Sequence, residues 1–123
     1  MYDKMLVLDL LRQIKTTLYK IKTRSAGIAE SRFFTDTEEG EEKLDGICML
    51  FLAVGESLKS MDKITGGLLL GKYPDVDWIG AKGFRDVIAH QYFNIDAEEV
   101  FGIIQTELEP LMRAVDSLIK ELE

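Results

Sequence analysis

Apolar residues recur through this chain at helical spacing. Leu11, Ile14, Leu18 and Ile21 stand three, four and three residues apart, which places them on one face of a helix. Leu44, Ile47, Phe51, Val54, Leu58 and Met61 form a second stripe, and Val100, Phe101, Ile104, Leu108, Leu111, Val115 and Leu118 a third. No segment is rich in strand-forming residues, so the chain is expected to be all-α. The stripes predict a first helix over about 3–23, a second from the acids after Thr37 to about Met61, a third over about 77–93 and a fourth over about 97–121. A short helix is expected from Ser25 to Phe34, with Ser25 as its N-cap. The expected architecture is an up-and-down bundle of four long helices plus one short helix.

The punctuation agrees with that division. Gly66-Gly67 and Gly71 interrupt the second stripe, and Tyr73-Pro74-Asp75 has turn composition. Asp96, with Glu99 three residues on, resembles a capping box. Pro110 should kink the last helix near Thr106, because proline lacks the donor for the bond one turn back. The chain has 123 residues, 2 prolines and no low-complexity tract, which suits one helical domain over residues 1–123. The sequence from Ile47 to Val54 is almost wholly apolar but far too short to span a bilayer. No membrane association is expected. The start, with Asp3, Lys4 and Asp9 in its apolar run, is a poor signal peptide. A cytoplasmic location follows as an expectation.

A single cysteine and a single histidine exclude an internal disulfide and a Cys/His zinc site. Cys48 is expected to be a buried thiol. The formal net charge of −7 argues against nucleic-acid binding by bulk charge. One stretch departs from it: residues 12–32 hold Arg12, Lys15, Lys20, Lys22, Arg24 and Arg32 against Glu30, a local +5. This stretch is a solvated face or a track for RNA. Glu38 to Glu42 reads as a solvated helix start.

Chemistry concentrates in Phe84-Arg85-Asp86-Val87-Ile88-Ala89-His90-Gln91-Tyr92-Phe93. On a helix Asp86 and His90 are four residues apart and share a face, so the carboxylate can fix the imidazole tautomer. Arg85 is five residues from His90, roughly 140° around the helix. Three arrangements would bring them together: an arginine bent back, a helix loosened near His90, or a symmetric dimer in which this helix meets its copy and gathers two arginines and two histidines in one cleft. Such a cleft suits RNA cleavage. Histidine exchanges protons with the ribose 2′-hydroxyl and the leaving oxygen, and arginine steadies the charged transition state. No metal or other cofactor is required by that chemistry, and the expected product is a 2′,3′-cyclic phosphate.

Arg85-Asp86-x-x-x-His90-x-Tyr92 resembles the signature of the HEPN superfamily, specifically its HepT-type toxin ribonucleases. Tyr73-Pro74-Asp75-Val76-Asp77-Trp78 resembles the family's lead into the motif helix, and Gly55-Glu56 its Gly-Glu pair. The match covers about residues 44–118. The resemblance implies a helical homodimer with the motif helices at its interface. It also implies Arg85 and His90 as catalytic residues, Asp86 in support, and RNA as substrate. It further implies a nucleotidyltransferase-fold antitoxin, joined to the homodimer in a higher complex, that transfers AMP from ATP to Tyr92. Many members carry asparagine where this chain has Asp86.

Other readings remain open on sequence alone. The same dimer is alternatively a non-catalytic helical module that binds or scaffolds a nucleotidyltransferase or a nucleotide. Tyr92 is alternatively an interface residue. Glu56 reads as a packing or hydrogen-bonding support, and Trp78 and Phe84 as core or interface anchors.

Overall fold

The first stripe forms α1, Lys4–Ser25. The Asp3 carboxylate opens the helix by accepting from the Leu6 N–H at 3.2 Å. Lys22 and Arg24 sit in the last turn, where cations favour the negative end of the helix dipole. Val7, Leu11, Ile14, Leu18 and Ile21 are buried to within about 1%, and burial of each such side chain contributes roughly 1.5–3 kcal/mol. The expectation for Ser25 is corrected. It ends α1 instead of capping a new helix, and its hydroxyl donates back to the Ile21 carbonyl at 2.8 Å. The chain then turns through Gly27 at φ 84°, and the short helix α2 is confined to Phe33–Asp36.

The computed structural model describes residues 2–74, 76–78, 80–81, 83–84, 88 and 94–123. Among these are five α-helices, four of them of ten residues or more, and no strand. Helix α3 runs Glu38–Thr65. Its N-cap, Thr37, accepts from the Gly40 N–H at 2.8 Å and donates to the Phe33 carbonyl at 3.2 Å. A side chain at Gly40 would collide with that Phe33 carbonyl, so glycine lets α2 fold onto the first turn of α3. Phe34, fully buried, packs edge-on against Phe33 and Phe101. Glu38 to Glu42 is exposed at every glutamate, as a solvated helix start should be. All six residues of the second stripe are buried. The helix outruns the expected Met61 by four residues and stops at Gly66, φ 65°.

Cys48 is buried among them, and desolvation, with a smaller contribution from Asp45, pushes its thiol up to about 11. It is a core residue, not a reactive thiol.

After a 3-10 turn at Leu70–Lys72, Trp78, Gly80, Ala81, Gly83, Phe84 and Ile88 are helical. They fall in the expected 77–93 helix; Asp77 precedes the first helical residue, and the remaining positions of that range lie outside the described residues. Asp96 caps α4, Ala97–Thr106, accepting from the Glu98 and Glu99 N–H groups at 2.9 and 3.3 Å. Helix α5, Leu108–Leu122, follows after Glu107. The expected last helix is thus two, divided where Pro110 cannot donate to the Thr106 carbonyl.

α1 packs chiefly on α3 and next on α5. The α1–α5 seam is edged by ion pairs: Arg12 with Glu123 at 3.3 Å, Lys15 with Asp116 at 3.0 Å and Lys22 with Glu109 at 2.9 Å. The partners ascend on one helix as they descend on the other, so the two run antiparallel.

Candidate active site

The motif segment is approached through a fixed corner. The Tyr73 hydroxyl donates to Glu121 Oε1 at 3.0 Å, tying the corner to the end of α5. The Trp78 indole N–H donates to the Tyr73 carbonyl at 2.9 Å. This bond satisfies the polar handle of an otherwise buried ring. Asp77 then acts as a cap. Its carboxylate accepts from the Gly80 N–H at 2.8 Å, and its carbonyl from the Ala81 N–H at 3.0 Å. A Cβ at position 80 would occupy the space of the Asp77 carboxyl group. Glycine there keeps the cap seated.

Trp78, Phe84 and Ile88 are buried. Phe84 meets Phe51 of α3 edge-to-face, ring centroids 5.3 Å apart. Trp78 and Phe84 are therefore core anchors, one of the two roles expected for them. The four expected site residues, Arg85, Asp86, His90 and Tyr92, lie outside the described residues. Phe84 and Ile88, the described residues on either side of Arg85 and Asp86 in sequence, are themselves part of the core. Gly55 is buried and Glu56 half-buried on α3.

A cleft of about 580 Å³ opens beside the segment. Phe51, Val54, Phe84 and Leu111 give it apolar walls, and Gly80, Gly83 and Gly102 leave it open. The described side chains with charge on its lining are Asp77, Glu99 and Glu107. Three carboxylates and no described cation make this a poor seat for phosphate. Among the described residues no group of three or more His, Cys, Asp or Glu side chains is placed to hold a metal ion. Among them, too, no helix is long and apolar enough to cross a membrane.

The basic stretch is largely spoken for. Arg12, Lys15 and Lys22 are the cations of the α1–α5 seam, and Arg32 pairs with Glu30 at 2.6 Å. The charge-assisted hydrogen bonds to Asp116 and Glu109 raise Lys15 and Lys22 above the ordinary lysine value of 10.5. Sequence reasoning missed this seam, although its signal was present. Glu109, Asp116 and Glu123 recur every seven residues, two turns of helix, as Lys15 and Lys22 do.

Comparison with known proteins places the chain. The profile of a family described as HepT-like, Ribonuclease HepT-like, matches residues 10–118. Three proteins of Methanocaldococcus jannaschii, each named "Putative RNase", are similar to it. One is 28% identical over 118 residues, 91% of this chain and 92% of the relative. A second is 27% identical over 118 residues, 91% of this chain and 96% of the relative. The third is 29% identical over 70 residues, 57% of this chain, and the match spans only 54% of that relative. No solved structure matches significantly.

Proposed function

The chain belongs to the ribonuclease HepT-like family, and we propose that it is a toxin-type endoribonuclease that cleaves RNA without a metal ion. The observation that carries the reading is the family match over residues 10–118, which encloses the whole of Arg85-Asp86-x-x-x-His90-x-Tyr92. In this reading His90 withdraws the proton of a ribose 2′-hydroxyl, and that oxygen attacks the adjacent phosphorus. Arg85 stabilises the charge that gathers on the phosphoryl oxygens. A protonated histidine returns a proton to the departing 5′-oxygen. The products are a 2′,3′-cyclic phosphate and a free 5′-hydroxyl. Asp86 holds the histidine. Two protomers meeting at their motif segments supply both proton carriers, and the apolar cleft beside Phe84 is surface that such self-association would cover.

Control by a partner completes the proposal. A nucleotidyltransferase-fold antitoxin delivers ATP to Tyr92, whose hydroxyl oxygen attacks the α-phosphorus and expels pyrophosphate. The AMP adds a phosphate charge beside the cleft and repels RNA. This places the pair in the cytoplasm, where RNA and ATP are both present.

The test is cleavage of an end-labelled RNA in EDTA by protein whose intact mass shows an unmodified Tyr92. Wild type should yield cyclic-phosphate ends. Arg85→Ala and His90→Ala should each lose at least about a hundredfold in rate. Absence of cleavage by the unmodified wild type overturns the proposal. The acidic lining of the cleft would then favour the non-catalytic dimer that scaffolds a nucleotidyltransferase.

A further inference from the structure

Four of the six cations between residues 12 and 32 are neutralised by carboxylates. Lys20 and Arg24 are the other two, and neither has a carboxylate partner among the described residues. At 100° per residue they fall on the side of α1 away from its buried stripe, together with Thr16, Tyr19 and Thr23. All five are exposed, and they line a shallow hollow of about 380 Å³. The Tyr19 ring is half exposed. The Arg24 guanidinium leans over α3 at Gly46, where its nearest nitrogen is 3.8 Å from the place a Cβ would take. Glycine therefore leaves that guanidinium uncovered.

We propose that this outer face of α1 is a contact site for single-stranded RNA. Lys20 and Arg24 meet backbone phosphates, Tyr19 stacks on a base, and the Thr16 and Thr23 hydroxyls donate to phosphate oxygens. The inference rests on the ribonuclease reading and extends it, because it names the surface that holds the substrate strand away from the cleaving residues. Its physical basis is local. A chain of net charge −7 repels RNA at a distance, so attraction must come from cations that no carboxylate has neutralised. Sites for single strands combine such cations with aromatic platforms, which accept any base because every base has a stacking face. Lys20 and Arg24 stand one turn apart, about 6 Å along the axis, comparable with the separation of neighbouring phosphates on a strand.

The experiment measures binding apart from cleavage. The probe is a fluorescent 2′-O-methyl oligouridine, which offers no 2′-hydroxyl for attack, titrated with protein at two salt concentrations. Lys20→Ala/Arg24→Ala should weaken binding at least about tenfold and lower the salt slope by roughly 1.4, the share of two phosphate contacts on a single strand. Tyr19→Ala should weaken it about fivefold or more, whereas Tyr19→Phe should bind as wild type does, because stacking survives. Gly46→Asp should also weaken binding, by giving Arg24 a carboxylate within reach. Lys15→Ala/Lys22→Ala removes the same formal charge from the seam and should change affinity less than about twofold.

Equal losses from the two double variants would mean bulk charge alone and would overturn the proposal. So would unchanged affinity in Tyr19→Ala, or no binding by wild type. Cleavage of unmodified RNA, run in parallel, separates the two claims. Intact cleavage with an unmoved KM in the α1 variants sinks the contact site and spares the ribonuclease. Binding through α1 without cleavage does the reverse.

Discussion

Two sides of α1 carry the same chemistry to different ends. On the side toward α5, Arg12, Lys15 and Lys22 each meet an acid. On the outer side, Lys20 and Arg24 meet none among the described residues and share a hollow with an exposed tyrosine, Tyr19. The sequence places all five within 13 residues, and no count of charge along the chain distinguishes them. The distinction is spatial. An antiparallel neighbour with acids every seventh residue neutralises one row of cations and leaves the next row free. Availability, not abundance, decides whether a basic segment can attract a polyanion.

The stripe that both sides share is where the largest effect is expected. Leu18 is fully buried, and Leu18→Ala removes its methyl groups from a packed core. Unfolding in urea should show a loss of about 2–5 kcal/mol. A loss below about 1 kcal/mol would mean that α1 is not anchored by its stripe, and that the two sides have no common frame to be compared on.

That stripe also shows how far sequence reasoning reached. Spacings of three and four located α1, α3 and the inward residues of α5, because burying a helix face imposes that period whatever the topology. Local stereochemistry was equally legible: Asp96 caps, Gly66 terminates and Pro110 divides. Ser25 was misplaced because its hydroxyl has two local uses, capping a following helix or bonding back to a carbonyl of its own. The packing of Phe34 and the contact of Phe33 with Gly40 decide between them, and both are tertiary. The frame of the candidate site, Trp78 and Phe84, was readable as apolar anchors. Its chemistry was not readable from periodicity, because a period reports apolar residues and Arg85 and His90 are polar. It was legible only as a motif with a family resemblance.

A smaller effect comes from reversing charge on each side. Lys15→Glu faces Asp116 with a like charge and should lower the melting temperature, by less than Leu18→Ala does. Lys15→Glu/Asp116→Lys rebuilds the pair in the opposite sense and should recover most of the loss. Lys20→Glu/Arg24→Glu should leave the melting temperature within error, since no described partner is lost. The seam effect should shrink at high salt, which screens half-exposed pairs. If reversal on the outer side costs as much as reversal at the seam, the two sides are not distinct in stability.

The smallest expected effect is alkaline. Lys15 and Lys22 hold their protons more tightly in the folded protein than at the ordinary 10.5, first through hydrogen bonds to Asp116 and Glu109 and then through Coulombic attraction. A raised folded value means that this contribution is complete below 10.5 and lost as pH climbs through the raised values. Cys48 complicates the same range. Its thiol, raised from 9.0 to about 11 by burial, stays neutral in the folded chain while the unfolded chain ionises, so stability begins to fall nearer pH 9. Cys48→Ala removes that slope. In this background, melting temperatures of the chain with and without Lys15→Met/Lys22→Met should differ at neutral pH and converge as the pH climbs past 10.5 through the raised lysine values. Curves that already coincide at neutral pH would show that the seam cations stabilise α1 through their aliphatic stems, which methionine retains, rather than their charge. The contrast between the two sides of the helix would then rest on packing.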